Sequence, residues 1–246
     1  MAVYSFRGER LSEHSYLTLR LYVTAFGERH EKLISARLAL SKDVASLLMR
    51  SSCLLHDVGK ALRDYQTRMG SFQFHELVSG YFVYETLLSI LKGKDLGNYR
   101  PSSLARTAAL AVIQHHQAMR SLEEILSEGF KAIPLGSGIS EEVVEEIRLA
   151  ARMSANTLPC AQDVLNAFQE AVESSSGELE KRVGQFCEGM IKWLKGIDVG
   201  DGEAWLLLLR YQPLLSAPLQ VCDSFAALLT RRGQLRGIHR GFLSLL

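Results

Sequence analysis

The chain has 246 residues, of which 47% are hydrophobic and 22% charged, and this composition is typical of folded globular proteins rather than disordered ones. A chain of this length can bury a large core, so its stability requires neither disulfides nor a structural zinc ion. The formal net charge is only +1, so global basicity does not indicate a nucleic-acid partner.

Cysteine usage and hydropathy predict a cytoplasmic protein without a membrane segment. The N-terminus lacks the basic and apolar regions of a signal peptide. The apolar tract at residues 205–221 is interrupted by Arg210, Gln212 and two prolines, which argues against a membrane span. The four cysteines form no Cys-x-x-Cys pair and are typical of a reducing compartment; they are Cys53, Cys160, Cys187 and Cys222.

Helical periodicity dominates the chain, and only residues 2–6 suggest a strand, so the predicted fold class is all-α. In the first predicted helix Ser12 is the expected N-cap. His14, Leu17 and Leu21 then follow at spacings of three and four, which places His14 on the apolar face.

The second ligand-bearing helix is predicted to begin at Ser41 and to run through a wide apolar stripe. His56 and Asp57 lie near its C-terminal end, where they offer a nitrogen and an oxygen ligand from consecutive positions. Gly59 follows and leaves room for another group to approach closely.

Two further predicted helices carry histidines beside their apolar faces. His75 lies in the first turn of a helix expected over residues 74–93, and Pro101 opens a helix whose apolar part ends at His115 and His116.

The second half of the chain reads as packing helices followed by one more ligand-bearing helix. Pro213 and Pro218 are expected to break the helical pattern before the last helix, which contains Asp223 and ends near Gly233. The packing helices are expected at residues 118–131, 140–155, 161–172, 178–194 and 201–209.

Histidines and aspartates therefore occur on five predicted helices, in each case on or beside the apolar face. A lone histidine in such a position is usually a hydrogen-bonded core residue, but burying so many ionisable groups unpaired is costly, and metal ions remove that cost. Of the seven histidines, only His30 and His239 fall outside this set, and their polar surroundings indicate exposure. The candidate metal ligands are His14, His56, Asp57, His75, His115, His116 and Asp223.

The string His56-Asp57-Val58-Gly59-Lys60, with Phe74-His75-Glu76 further along, resembles the HD superfamily of metal-dependent phosphohydrolases. Within it, the His115-His116 pair and the His75-Glu76 element are similar to the HD nuclease of type I CRISPR interference. The resemblance spans residues 11–226 in motif order, although residues 121–213 match only as generic helices.

The resemblance implies two divalent metal ions bridged by Asp57. One ion would be held by His14, His56, Asp57 and Asp223, and the other by Asp57, His75, His115 and His116. It also implies catalytic roles for His56, Asp57, Lys60 and Asp223, with Lys60 neutralising charge on the scissile phosphate. Imidazole-rich ligation favours manganese, iron, cobalt or nickel over magnesium, which prefers oxygen ligands, although magnesium also occurs in the family.

The implied protein is one HD domain over residues 1–246, with metal-site helices at 11–119 and 214–230 and additional helices at 121–212. The implied activity is hydrolysis of single-stranded DNA, with RNA as a second candidate substrate, in CRISPR antiviral defence. Because the chain ends at Leu246 without a helicase, the expected partners are a separate CRISPR-associated helicase and a type I effector complex.

Two alternatives remain open at the level of sequence. The same site can act on a small substrate, as in a nucleotide or cyclic-nucleotide phosphohydrolase. A degenerate HD domain that only binds partners is disfavoured by the complete ligand set. A terminal arginine cluster favours a nucleic-acid substrate weakly, because such residues can follow a phosphate backbone; it comprises Arg231, Arg232, Arg236 and Arg240.

Overall fold

The predicted all-α fold is confirmed, because the only strands in the described part of the chain are β1 (Tyr4–Phe6) and β2 (Glu9–Arg10). They pair in antiparallel fashion, and β1 confirms the extended piece expected at residues 2–6. The computed structural model describes residues 2–68, 72–116, 122, 125–154, 157–158, 160–195, 207 and 211–230.

In the described residues six α-helices follow the strands, and six of the seven candidate ligands lie in them or within three residues of their C-terminal ends. Ser41 caps the third of them as predicted, since its hydroxyl accepts the backbone N–H of Val44 at 3.2 Å. Pro101 opens the sixth. The helices are α1 (Leu11–Ala25), α2 (Gly27–Leu38), α3 (Lys42–Leu55), α4 (Arg63–Arg68), α5 (His75–Leu91) and α6 (Pro101–Ile113), with a 3-10 turn at Val58–Ala61.

The predicted N-cap of the first helix is wrong. Ser12 lies inside α1, which begins at Leu11 without a side-chain cap from its flanking residue. A helix start leaves backbone N–H groups without partners. The N–H of Ser12 instead donates at 3.2 Å to the carboxylate of Glu146, which belongs to a distant helix. A tertiary contact has therefore replaced the local cap.

The second half of the described chain is also helical. It contains a π-helical turn (Ile125–Gly129), α7 (Phe130–Ala132), a 3-10 turn (Leu135–Ser137), α8 (Glu142–Met153), α9 (Ala161–Ser175), α10 (Leu179–Leu194) and α11 (Gln212–Thr230). The packing helices expected at residues 140–155, 161–172 and 178–194 are confirmed with small shifts at their ends. Apart from Leu207, the helix expected at 201–209 lies outside the described residues, as do the terminal arginine cluster, His239 and part of the 118–131 segment.

The expected break at the two prolines is wrong, because α11 contains both of them. Pro213 lies in the first turn, where N–H groups have no intrahelical partner in any case. Pro218 has no backbone N–H, so the carbonyl of Leu214, four residues earlier, receives no hydrogen bond from the helix itself. The ring of His30 hydrogen-bonds to that carbonyl, and its Nδ1 lies 3.1 Å from the hydroxyl of Tyr22. His30 is therefore half-buried rather than exposed.

The helices pack so that the ends of several of them meet. Helix α5 lies against α6, α9 and α3, while α11 lies against α1, α6 and α3. Gly80 of α5 permits the close approach of α6, because a Cβ there would lie 2.6 Å from Ile113 Cγ1. All but one of the buried apolar residues in the described ranges form one cluster that extends from Val3 to Ala226. The assignment of residues 1–246 to one domain stays a prediction.

Within the described ranges, we find no helix with the combined length and apolarity needed to cross a bilayer.

Candidate metal centre

The candidate ligands come together because most of them lie at or near helix ends, whereas Asp223 lies well inside a helix. His14 is the fourth residue of α1, His56 terminates α3, and Asp57 precedes the 3-10 turn. His75 begins α5, His115 and His116 follow α6, and Asp223 lies in the second half of α11. All seven side chains are buried except that of His116, which is partly exposed.

The first cluster consists of His14, His56, Asp57 and Asp223, whose ligand atoms all lie within 4.8 Å of one another. His14 Nε2 is 2.9 Å from Asp223 Oδ1 and 3.3 Å from Asp57 Oδ2. His56 Nε2 is 3.4 Å from Asp223 Oδ1 and 3.3 Å from His14 Nε2. Two imidazoles and two carboxylates therefore face one small space.

The second cluster consists of Asp57, His75, His115 and His116, again with ligand atoms within 4.8 Å of one another. Asp57 Oδ1 lies 3.0 Å from His75 Nε2 and 3.8 Å from His115 Nε2. The ring of His116 stacks obliquely on that of His115, with centroids 3.9 Å apart. Asp57 thus turns Oδ2 to the first cluster and Oδ1 to the second.

Local backbone carbonyls orient three of these imidazoles. The Nδ1 atoms of His56 and His75 lie 2.9 Å and 2.6 Å from the carbonyl oxygens of Cys53 and Phe72, and Nδ1 of His115 bonds to that of Val112. A proton on each Nδ1 turns Nε2 towards the site, where its lone pair can bind a metal ion.

His115 Nε2 provides the clearest sign that the residues fit a metal ion. It is buried and has no hydrogen-bond partner among the described residues. An unsatisfied buried polar atom is costly, and its lone pair is the form in which imidazole binds a metal. The donor set of imidazoles and carboxylates also suits first-row divalent ions.

Both aspartates of the site are held in the ionised form that binds metal ions. Burial opposes ionisation of Asp57, but the charges of Lys60 and His56 and hydrogen bonding with His75 outweigh it and hold its pKa well below the usual value. The pKa of Asp223 is held well below its usual value in the same way, chiefly by hydrogen bonding with His14 and His56 against burial. Both carboxylates are therefore ionised.

Three of the site histidines have shifted pKa values, and the shifts differ in direction. Burial and the neighbouring His116 lower the pKa of His115 well below its usual value, and burial and His75 lower that of His116, so both rings are neutral. Burial also acts to lower the pKa of His14, but hydrogen bonds with Asp223 and Glu9 prevail and raise it to about 9. Without a metal ion, His14 therefore carries a proton near neutral pH.

Lys60 is buried, and its Nζ donates to Asp57 Oδ2 at 2.6 Å. Its ammonium group neutralises this aspartate, and its predicted contact with a substrate phosphate stays a prediction. Its neighbour Gly59 has no room for a side chain, because a Cβ there would lie 2.1 Å from the carbonyl oxygen of His75. This contact brings the turn after His56 against the start of α5.

Two acidic residues next to the site were not predicted as site residues. Glu9 Oε1 lies 2.7 Å from His14 Nδ1, and Glu76 Oε2 lies 3.3 Å from His75 Nδ1. Glu76 at least stood next to a candidate ligand in the sequence. Glu9 belongs to β2, five residues before His14, and no helical periodicity relates the two, so only tertiary structure reveals the contact.

The all-α fold and the paired clusters around His56-Asp57 define a helical domain with two groups of side chains that could each hold a metal ion. No family model matches the chain. A curated relative, the CRISPR-associated endonuclease Cas3-HD of Pyrococcus furiosus, is 27% identical over 126 residues, which cover 48% of this chain and 50% of the relative. The chain thus spans about half the length of that relative. The match confirms the predicted resemblance to CRISPR-associated HD domains.

A solved structure, the CRISPR-associated Cas3 HD domain protein of Methanocaldococcus jannaschii, is similar with a TM-score of 0.47. Its sequence identity is 22%, and the alignment covers 78% of this chain and 97% of that one.

Proposed function

We propose that the chain is a metal-dependent phosphodiesterase that cleaves single-stranded DNA. The observation that carries this proposal is the position of Asp57 between two clusters, with one oxygen directed at each. That arrangement suits a bridging ligand of a two-metal site, and such sites promote displacement at phosphorus.

The two clusters would hold one divalent ion each. His14, His56 and Asp223 would hold the first with Asp57 Oδ2, and His75, His115 and His116 the second with Asp57 Oδ1. When bound, such a pair of ions activates water and stabilises the attacking and leaving oxygens of an in-line displacement. Mn²⁺ suits the imidazole-rich donor set best, and Ni²⁺, Co²⁺, Fe²⁺ and Mg²⁺ are the other candidates.

The side chains have distinct tasks in this proposal. Asp57 and Asp223 supply fixed negative charge because their pKa values are held low. His115 offers a neutral ring without needing to lose a proton. Lys60 carries a positive charge beside Asp57, from which it can turn to the phosphate of a substrate. His56, Asp57, Lys60 and Asp223 are the proposed catalytic residues.

The proposed setting is CRISPR antiviral defence in the cytoplasm. The curated relative is described as a CRISPR-associated endonuclease, which supports a nucleic-acid substrate over a free nucleotide. The partners we propose are a separate helicase that supplies single-stranded DNA and a type I effector complex, with RNA as a second substrate.

The test is degradation of end-labelled single-stranded DNA by the purified chain with Mn²⁺. We expect cleavage that chelation stops and that Asp57→Ala reduces to background. Asp163→Ala, which changes an exposed aspartate of α9, should cleave as wild type does.

Activity that survives Asp57→Ala or full chelation would contradict the proposal. Hydrolysis of nucleoside triphosphates or cyclic dinucleotides, with single-stranded DNA left intact, would establish the small-substrate alternative instead.

A further inference from the structure

His14 differs from the other oriented imidazoles in what holds its Nδ1 atom. His56 and His115 use carbonyls in the last turn of a helix, and His75 uses one just before a helix begins. Carbonyls at these places lie outside the regular ladder of helix hydrogen bonds. His14 is the fourth of 15 residues in α1. The carbonyl three residues before it therefore already accepts a backbone hydrogen bond within the helix. Its Nδ1 needs a partner from elsewhere.

Glu9 is that partner. Its Oε1 lies 2.7 Å from His14 Nδ1, and both side chains are almost fully buried. The same carboxylate oxygen accepts the hydroxyl of Thr230, the last residue of α11. Glu9 therefore connects β2, the ligand-bearing part of α1 and the end of the helix that carries Asp223.

We propose that Glu9 is a positioning residue for the first metal cluster. Its carboxylate accepts the Nδ1–H of His14, which keeps Nε2 on the side of Asp57 and Asp223, where its lone pair becomes available when a divalent ion displaces the Nε2 proton. A carboxylate behind a metal-binding histidine also makes the ring a stronger ligand. The inference rests on the proposed function, because it assumes that the cluster binds a divalent ion.

The matched control is Glu146. It belongs to α8, but its buried carboxylate lies against the start of α1, and 3% of its surface is exposed, as for Glu9. Its contacts are with the backbone N–H groups of Val3 and Ser12 and with the side chain of Arg10. It supports the same region of the fold without contacting a candidate ligand.

The experiment is calorimetric titration of the full chain with Mn²⁺ for wild type, Glu9→Gln and Glu146→Gln. Replacing a group behind a ligating histidine typically weakens metal binding about 10–100-fold. We expect a loss of that order at one of two sites in Glu9→Gln and no change at either site in Glu146→Gln.

A spectroscopic readout separates positioning from support of the fold. In the Zn²⁺-loaded wild type, the His14 Nδ1 proton, bonded to a carboxylate, should give a low-field imidazole proton resonance. It should persist in Glu146→Gln and move upfield or vanish in Glu9→Gln.

Three results would overturn the inference. They are an unchanged Mn²⁺ isotherm in Glu9→Gln, a His14 proton resonance that does not move in Glu9→Gln, and a loss of Mn²⁺ affinity that affects both metal sites equally in both variants. Wild-type protein that binds no divalent ion would instead refute the proposed function itself. If Glu9→Gln does not fold, Thr230→Val takes its place, because it removes a hydroxyl whose hydrogen-bond partners are Glu9 and the carbonyls of Ala226 and Ala227 in its own helix. Weaker binding at one site then supports the inference, and unchanged binding overturns it.

Discussion

At the scale of single residues, the pair formed by Asp57 and Lys60 explains how a fully buried carboxylate is tolerated. A buried carboxylate without a counter-charge is strongly destabilising. Lys60 Nζ lies 2.6 Å from Asp57 Oδ2, the same oxygen that faces the first cluster. The lysine therefore supplies positive charge where a divalent ion would otherwise supply it.

Lys60→Met should destabilise the metal-free protein, because Asp57 then keeps its charge and loses its nearest positive charge. Removing one partner of a buried ion pair costs about 3–5 kcal/mol. Urea unfolding in the presence of a chelator measures this loss. Saturating Mn²⁺ should recover most of it, and an equal loss with and without Mn²⁺ would show that the pair does not substitute for a metal.

The raised pKa of His14 predicts how stability depends on pH in the metal-free protein. Its folded pKa of about 9 exceeds the ordinary 6.5, so the folded state binds more protons between these values. The stabilisation is complete below pH 6.5 and is lost as pH rises towards 9. The free energy of unfolding should therefore fall from pH 6.5 to about pH 8. Cysteine ionisation contributes little in this range, because the ordinary thiol pKa is higher.

The control for this pH dependence is His14→Gln, which should flatten the decline. Mn²⁺ should flatten it too, because metal binding displaces the proton from the ligand. A free energy of unfolding that rises over this range in the wild type would contradict the ionic network around His14.

At the scale of helices, much of the structure follows from local signals, and the exceptions have tertiary causes. The cap at Ser41, the opening at Pro101 and the position of His75 at a helix start were all predictable from short motifs. Ser12 was wrongly predicted as a cap because Glu146, 134 residues away, satisfies its N–H. The π-helical turn at Ile125–Gly129 had no signal in the apolar periodicity.

Helix α11 shows most clearly why sequence patterns fell short. Pro218 argues for a break when only local structure is considered. The helix continues because His30, on α2, hydrogen-bonds to the carbonyl that Pro218 leaves free. Asp223 therefore reaches the site on an uninterrupted helix, and a residue that looked exposed in the sequence helps to support it.

His30→Phe should cost about 1–3 kcal/mol of stability, the usual cost of a buried polar group without a partner. Adding Pro218→Ala should recover part of that loss, because an alanine N–H can donate to the Leu214 carbonyl. Chemical denaturation of both single variants and the double variant measures the coupling. Strictly additive losses would show that His30 and Pro218 act independently.

At the scale of the whole molecule, all seven predicted ligands come together although they are spread over residues 14–223. Their convergence was predictable because each lies on or beside an apolar helix face, and apolar faces meet in one core. The contacts that other buried side chains make with these ligands were not predictable. Glu9 reaches His14 from a strand, and Lys60 turns inward to Asp57 rather than outward to solvent.

Divalent metal should stabilise the entire fold, because the two clusters join α1, α3, α5, α6 and α11. A ligand that binds only the folded state raises stability by about 2.7 kcal/mol at 100 times its dissociation constant. We expect Mn²⁺ to raise the melting temperature of the wild type and chelation to lower it. Asp57→Ala should remove this response, and a response that persists would place the metal elsewhere.

The most direct test of the central claim is the number of metal ions per chain, measured by elemental analysis after loading with Mn²⁺ and removal of excess metal. The two clusters predict about two ions in the wild type and about one in His115→Ala, because that histidine belongs to the second cluster alone. A single ion in the wild type that His115→Ala leaves in place would contradict the two-metal site.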